Sequence, residues 1–323
     1  MTVVCELCPK SCSIRPGQSG DCRIRVNVDG TLTAVAYGFP SAIHVDPIEK
    51  KPLNHFLPGT DIFSIATVGC NLHCKNCQNW ELSQRNPEDA KAVSLPPGRI
   101  PEVAKKNGCV SVAYTYSDPM AYYEYTLDSC VKVREQGLRN VLVTAGYINE
   151  KPLRELCRYV DAANVDLKAF SEKFYRDICE GTLKPVLNSL VVMKSMGVIV
   201  EVTNLLIPTL NDRDEDIKAL CRWIGQNMGR ETPLHFSRFF PHYRLQNLPA
   251  TPSETLVRAR EIARAEGLRH IYIGNIIIED SGNTYCPSCR QLLVRRKRYQ
   301  VLENKLNRGT CPSCKAEVYG TWD

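Results

Sequence analysis

One phrase recurs four times along this chain: a helical stretch, a glycine, then a run rich in β-branched and aromatic residues. Lys106-Asn107-Gly108-Cys109-Val110-Ser111-Val112-Ala113-Tyr114 is the first instance, and Glu135-Gln136-Gly137-Leu138-Arg139-Asn140-Val141-Leu142-Val143 the second. Ser195-Met196-Gly197-Val198-Ile199-Val200-Glu201-Val202 and Ala265-Glu266-Gly267-Leu268-Arg269-His270-Ile271-Tyr272-Ile273 repeat it. Glycine just past a helix takes the left-handed conformation that stops it. Strands alternating with helices mean βα units and a parallel sheet. With Ile62–Val68, Asn164–Lys168 and Leu234–Phe239 the expected total is about seven strands. Residues 61–276 fall short of the roughly 250 of an eight-unit barrel. The expected architecture is therefore α/β, a partial (β/α)6-type barrel.

The cysteines mark out what surrounds it. There are 16 in 323 residues, and most fall into three sets. Cys5, Cys8, Cys12 and Cys22 open the chain, Cys70, Cys74 and Cys77 follow the first barrel strand, and Cys286, Cys289, Cys311 and Cys314 close it. Three domains are expected: a four-cysteine module over 1–58, the partial barrel over 59–280, and a C-terminal module over 281–323. No apolar run reaches the roughly 18 residues of a membrane span, and Met1–Glu6 lacks the regions of a signal peptide. Cysteines in such number then argue for metal ligation in a reducing, cytoplasmic setting, with no membrane partner. Cys109, Cys130, Cys157, Cys179 and Cys221 lie singly in apolar segments and read as small buried hydrophobes.

The two C-terminal Cys-Pro-Ser-Cys knuckles have the spacing of a tetrahedral zinc ribbon, and a rubredoxin-like iron site is the alternative with similar knuckles. The N-terminal four can hold zinc or a second iron–sulfur cluster. That they close a site with no open position favours zinc. The central set differs by having only three thiolates. A cubic cluster has four irons, so a three-cysteine loop leaves one iron open for a substrate or cofactor, and an open iron means chemistry.

Strand parity places the polar groups. In Val165-Asp166-Leu167-Lys168 the two charged residues share one face, as do Glu201 and Thr203 in the next strand and His235 and Ser237 in Leu234-His235-Phe236-Ser237. Helices would cover the apolar faces, so these groups point inward. Barrel active sites lie at the C-terminal ends of the strands, where the triad, Asp118 and the Asp166/Lys168 pair are expected to converge. Arg238, His242, Tyr243 and Arg244 follow the sixth strand and are candidates, with Glu201, for holding substrate. Tyr122, Tyr123 and Tyr125 read more simply as helix packing, and Asn79 and Trp80 as packing for the cysteine loop. The net charge is +6, a mild excess, and the run Arg295-Arg296-Lys297-Arg298 reads as a solvated ribbon strand. A nucleic-acid partner is therefore not expected.

Cys70-x3-Cys74-x2-Cys77 after the first strand of a partial barrel resembles the radical S-adenosylmethionine (SAM) superfamily. The resemblance implies a [4Fe–4S] cluster on those three cysteines and SAM chelating the open iron. A low-potential electron from a flavodoxin or ferredoxin would cleave SAM to a 5′-deoxyadenosyl radical, in anaerobic chemistry. Asn76 occupies a position that is usually aromatic in that family. Thr115, Tyr116 and Asp118 fall where the family grips the SAM amino group. Asp166 and Lys168 look like the Asp-x-Lys pair of glycyl-radical-enzyme activases, set for the ribose and the methionyl carboxylate. Thr203 and His235 join them as cofactor contacts. Cys5-Glu6-Leu7-Cys8-Pro9, Cys70 through Gln84, His235 through Pro241 and the C-terminal knuckles resemble the AmmeMemoRadiSam radical SAM proteins. That implies a Memo-like and an Amme-type protein as partners and a small-molecule or partner-held substrate. A glycyl-radical-enzyme activase and a radical SAM RNA-modifying enzyme are the alternatives.

Overall fold

The computed structural model describes residues 1–323. Two small hairpins open the chain, β1 (Val3–Val4) with β2 (Ser13–Ile14) and β3 (Arg25–Val28) with β4 (Thr31–Ala34). β5 (Ala42–Pro47) then pairs antiparallel with β6 (Asp61–Ala66). From β6 onward the sheet is parallel and in sequence order: β7 (Ser111–Tyr114), β8 (Arg139–Thr144), β9 (Ala162–Asp166), β10 (Ile199–Leu206), β11 (Leu234–Arg238) and β12 (Ile271–Gly274). The crossovers carry α1 (Trp80–Ser83), α2 (Ile100–Lys106), α3 (Tyr123–Glu135), α4 (Glu150–Cys157), α5 (Glu172–Phe174) running into a π-turn (Tyr175–Cys179), α6 (Leu183–Ser195), α7 (Asp214–Asn227) and α8 (Ser253–Ala265). The result is an α/β fold on a mostly parallel eight-stranded sheet whose edges are β5 and β12.

The recurring glycine phrase is one backbone motif used four times. Gly108, Gly137, Gly197 and Gly267 have φ between +73° and +88°. In each case the residue after the glycine donates to a carbonyl five residues back: Cys109 to Ala104, Leu138 to Val133, Val198 to Met193 and Leu268 to Ala263, at 3.0 to 3.1 Å. That 6→1 bond satisfies a carbonyl the helix end would orphan and turns the chain toward its next strand.

The end of the sheet where the strands begin is filled. Ile48, Leu53, Phe56 and Leu57 pack with Ile62, Ala113, Val141 and Ala162, and Asn164 Nδ2 donates to the Pro52 carbonyl at 2.8 Å. β5, within the expected 1–58 module, belongs to the main sheet, and 48–57 plugs the strand starts. The C-terminal module, β13 (Thr284–Tyr285), β14 (Leu292–Lys297) and β15 (Gln300–Asn304), seals the same end. Its tail exchanges backbone hydrogen bonds with the plug, Leu57 N–H to Thr321 O and Thr321 N–H to His55 O, both 2.8 Å. Arg296, expected to be solvated with its neighbours, is buried instead. Its guanidinium donates to Asn54 O at 2.7 Å and lies 3.4 Å from Glu49. Only Arg295, Lys297 and Arg298 of that run are exposed. The extended strand sends alternate residues to opposite faces, so a charge run on it is split between water and core.

Candidate active site

The opposite end, where parallel strands finish, carries the three-cysteine loop. Gly69 starts it with φ +87°, and a Cβ there would lie 2.5 Å from the Cys22 carbonyl oxygen, so the position accepts only glycine. Four other segments clamp the cysteine loop. Asn71 Nδ2 donates to Tyr147 O (2.6 Å) after β8. His73 N–H donates to Cys179 O (3.0 Å) and Lys75 N–H to Ile178 O (2.9 Å) in the π-turn after β9. Arg244 N–H, after β11, donates to Lys75 O at 2.9 Å. Asp21 of the N-terminal module holds His73 at 3.0 Å. Leu72 N–H points at Cys70 Sγ (3.4 Å), and Ser83 Oγ lies 3.2 Å from Cys77 Sγ. Burial pushes the Cys70 and Cys77 thiols upward, so ligation to iron must expel their protons.

Asp166 and Lys168 stand together at the end of β9, with Lys168 Nζ 2.6 Å from Asp166 Oδ2. Burial alone would lower the ammonium's pKa, but the charges of Asp166 and Cys74 outweigh it and hold it well above the usual lysine range. Tyr175 Oη accepts from Lys168 N–H (3.1 Å), and Asn204 and Asn211 donate to its carbonyl. Between the cysteines, Asn76 Oδ1 is buried without a partner. A fixed cation beside the cysteine loop and an orphaned acceptor inside it suit a cofactor that carries both a carboxylate and hydrogen-bond donors on a thiolate-bound cluster.

Other candidates are engaged differently. Asp118 is buried and its two oxygens take Met120 N–H, Thr144 Oγ1–H and Ala145 N–H at 2.9 to 3.0 Å. It ties the loop after β7 to the loop after β8, near Cys70, rather than offering a free carboxylate. Thr115 extends β7, donating to Ile65 O. Tyr116, at φ +63°, turns its ring down the sheet, where its hydroxyl bonds Asp46 and Lys51 Nζ sits 4.4 Å from the ring centroid. Thr203 donates to Asn164 Oδ1 at 2.9 Å.

Glu201 and His235 have the expected parity but lie low, near the strand starts. Glu201 accepts from His55 N–H of the plug (2.7 Å) and lies 2.7 Å from His235 Nε2. His235 stacks on Tyr272, whose hydroxyl bonds His55 Nε2. These residues join plug to sheet and stand apart from the rim. Arg238 donates to Thr251 O at 2.8 Å and covers the Phe240 ring. His242 is exposed, whereas Tyr243 stacks on Trp80 at 5.1 Å, so the loop after β11 rests on the segment beyond the triad. Asn79 donates to Tyr116 O. Tyr122, Tyr123 and Tyr125 are buried, in keeping with packing. Cys179, read as a plain buried hydrophobe, is buried but lies against the Cys74 sulfur. No local pattern marks that contact, because it joins residues about a hundred positions apart.

The C-terminal four cysteines are the one group of three or more ligand residues whose donor atoms all lie within 4.8 Å of each other. Cys286 and Cys314 are 3.5 Å apart, Cys289 and Cys311 3.7 Å. Zn–S bonds of 2.3 Å in a tetrahedron set sulfurs about 3.8 Å apart, so a single tetrahedral ion fits. Cys5, Cys8, Cys12 and Cys22 line one recess that also includes Lys10, Arg25 and Asn71.

No helix is long and apolar enough to cross a membrane. Among known proteins, an uncharacterized protein of Methanocaldococcus jannaschii is 46% identical over 98% of this chain and 95% of its own length. The pyruvate formate-lyase-activating enzyme of Clostridium pasteurianum is 24% identical over 48% of this chain and 66% of its own. A radical SAM methyltransferase from Sphaerobacter thermophilus shares the fold, with a TM-score of 0.53 at 16% identity, over 73% of this chain and 71% of that one. Streptococcus suis SuiB bound to S-adenosylmethionine gives 0.52 at 15% identity, over 68% of this chain and 51% of that one. The Radical SAM superfamily model matches residues 64–224, the span from β6 through the cysteine loop and the Asp166/Lys168 strand into α7. This chain belongs to the radical SAM superfamily and is a radical SAM enzyme, a class that works with a [4Fe–4S] cluster and S-adenosylmethionine.

Proposed function

We propose that the sheet acts as a partial barrel in which Cys70, Cys74 and Cys77 hold the cluster with one iron open, and that the chain cleaves SAM at that rim. The observation that carries this is the charged pair of β9 held beside Cys74 at the end of the sheet that the plug and ribbon leave free. When bound, the cluster supplies the electron that splits SAM into methionine and a 5′-deoxyadenosyl radical. The chain's own residues do the rest. Lys168, kept cationic by Asp166, offers a fixed charge to a carboxylate. Asp166 retains an oxygen for hydroxyl groups, and Asn76 Oδ1 offers an acceptor to a donor that would otherwise be unpaired. The Trp80–Tyr243 stack seats the loop after β11 on the segment beyond the triad.

The acceptor of the radical is a small molecule or a group held by a partner, within a three-component system with a Memo-like and an Amme-type protein. The segments that suggest this system include Glu6 and Leu7, whose carbonyls accept from Asn149 after β8, so the N-terminal module is anchored at the same rim. A glycyl-radical-enzyme activase is the second reading, supported by the likeness to the Clostridium pasteurianum enzyme. An RNA-modifying role loses support because Arg296 is buried. Anaerobic reconstitution with iron and sulfide, then dithionite and SAM, is expected to yield 5′-deoxyadenosine, and Cys74→Ala to abolish it. No 5′-deoxyadenosine from the fully loaded chain would overturn the proposal. Turnover that rises only when the Memo-like and Amme-type proteins are added supports the three-component reading, and activation of a glycyl-radical enzyme supports the other.

A further inference from the structure

We propose that Cys5, Cys8, Cys12 and Cys22 hold a second iron–sulfur cluster, not zinc, and that it feeds electrons to the cluster on Cys70, Cys74 and Cys77. Thiolate count cannot separate the two metals, but sulfur separation can. One tetrahedral ion draws every pair of its ligands to about 3.8 Å, whereas a cluster spreads its thiolates over several irons. The chain contains both standards. The C-terminal four meet the single-ion geometry, with all donor atoms within 4.8 Å of each other. The Cys70/Cys74/Cys77 set, whose family places it on a cluster, does not form such a group, and neither does the N-terminal set. The N-terminal thiols nonetheless face one shared recess, and Cys5, Cys8 and Cys22 are buried around it. They therefore converge on one shared site without the tight sulfur spacing of the C-terminal four.

The recess also contains a polar atom without an oxygen or nitrogen partner. Arg25 is 8% exposed and lines it. One end of its guanidinium is bound to Glu124, and its buried Nε meets no oxygen or nitrogen acceptor, while the guanidinium lies against the Cys5 sulfur. Asn71, 2% exposed, lines the recess as well. Buried orphans call for an explanation, and a thiolate-ligated cluster would accept from the Arg25 Nε–H. Asp21 N–H already points at Cys12 Sγ, at 3.4 Å. Hydrogen bonds of this kind to sulfur tune cluster potential.

Position gives the second site its role. Asn71 stands between the recess and Cys70, the Cys22 carbonyl packs on Gly69, and Asp21 grips His73. The two cysteine loops are back to back. In the relay, an external low-potential flavodoxin- or ferredoxin-class carrier gives one electron to the N-terminal cluster. That cluster is reoxidised as the same electron passes to the triad cluster, and no bond or proton changes hands. The relay rests on the SAM-cleaving reading, while the identity of the metal does not.

Metal analysis of the full chain, reconstituted anaerobically with iron, sulfide and zinc, separates the outcomes. About eight irons, eight labile sulfides and one zinc per chain are expected, and Cys70→Ala/Cys74→Ala/Cys77→Ala should keep about four irons with a cluster EPR signal on reduction. About four irons and two zincs in the unmutated chain would overturn the second cluster whatever the triple variant does. For the relay, the chain is reduced, freed of reductant and mixed with excess SAM. Since each cleavage uses one electron, about two 5′-deoxyadenosines per chain are expected, and about one would overturn the relay. Eight irons with no 5′-deoxyadenosine would instead refute the proposed function and leave the metal assignment standing.

Discussion

Glu201 is where the geometry makes its most testable demand. Its carboxylate is fully buried, accepts from the His55 backbone N–H at 2.7 Å and lies 2.7 Å from His235 Nε2. Glu201→Ala leaves both partners buried and unpaired. An orphaned buried group costs about 1–3 kcal/mol, and two are left here. A loss of about 4 kcal/mol is expected. With a urea slope near 3 kcal/mol/M, the upper end for a chain of this size, the unfolding midpoint should fall by about 1.3 M. Glu201→Gln keeps an acceptor for His55 and offers an N–H to His235, so it should lose only about 1 kcal/mol. The folded fraction of both variants should cleave SAM at the unmutated rate, because neither residue reaches the rim. An alanine variant that keeps its midpoint but loses turnover, or raises the substrate KM, would refute the structural role and restore Glu201 as a substrate contact.

Two further expectations rest on backbone and burial. Gly69→Ala combines left-handed strain of about 1–2 kcal/mol with a Cβ 2.5 Å from a backbone oxygen that cannot rotate away, whereas Gly137→Ala at φ +74° meets nothing within 4 Å. Iron content and urea midpoint should drop clearly more for Gly69→Ala, and equal losses would contradict the close approach of the two cysteine loops. His270 is buried near Arg269 and Arg290, burial first and those charges next lowering its pKa to about 4, and its Nε2 has no partner. The unfolded chain takes this proton near pH 6.5 and the folded chain only near 4, so stability is lost as pH falls through that window. Between pH 7 and 5.5 the loss from this group is about 1.2 kcal/mol. Urea unfolding at the two pH values should show it in the unmutated chain and not in His270→Gln, and an unchanged slope in that variant would count against the assignment.

Features that depend on near neighbours are legible in the sequence. The helix-ending glycines are legible because a left-handed cap is a local demand, and the C-terminal knuckles because a chelate ring fixes their spacing. Parity puts Asp166, Lys168, Glu201, Thr203 and His235 on the right face because a strand alternates strictly. Height along the strand is another matter. Parity cannot tell a residue at the start of β10 from one at the rim, so Glu201 and His235 are expected at the active end and stand at the closed one. Asp118 falls on the expected loop, but the three donors that occupy its carboxylate come from backbone and a threonine that only folding brings near. The plug at 48–57 has no periodic pattern, and Cys179 meets Cys74 across the whole of three βα units.

The same distinction decides which end of the molecule can react. Plug, ribbon and tail satisfy the strand starts with hydrogen bonds: His55 to Glu201, Tyr272 and Thr321, and Arg296 to Asn54. Three buried atoms at the strand ends lack partners, Asn76 Oδ1 in the cysteine loop, Asn71 Oδ1 behind it and Arg25 Nε in the recess beyond, while Glu49 Oε2, Ser111 Oγ and His270 Nε2 lack them at the closed end. Buried polar atoms are tolerated unpaired where something is meant to pair with them. Arg25 and Asn71 line the recess of the N-terminal cysteines, and Asn71 and Asn76 belong to the cysteine loop. If the two cysteine loops are held by the clusters they ligate, loading the clusters should slow amide exchange in the backbone of residues 5–25 and 69–77 far more than in the plug. Equal protection gains at both ends of the sheet would mean that the functional end has been misplaced.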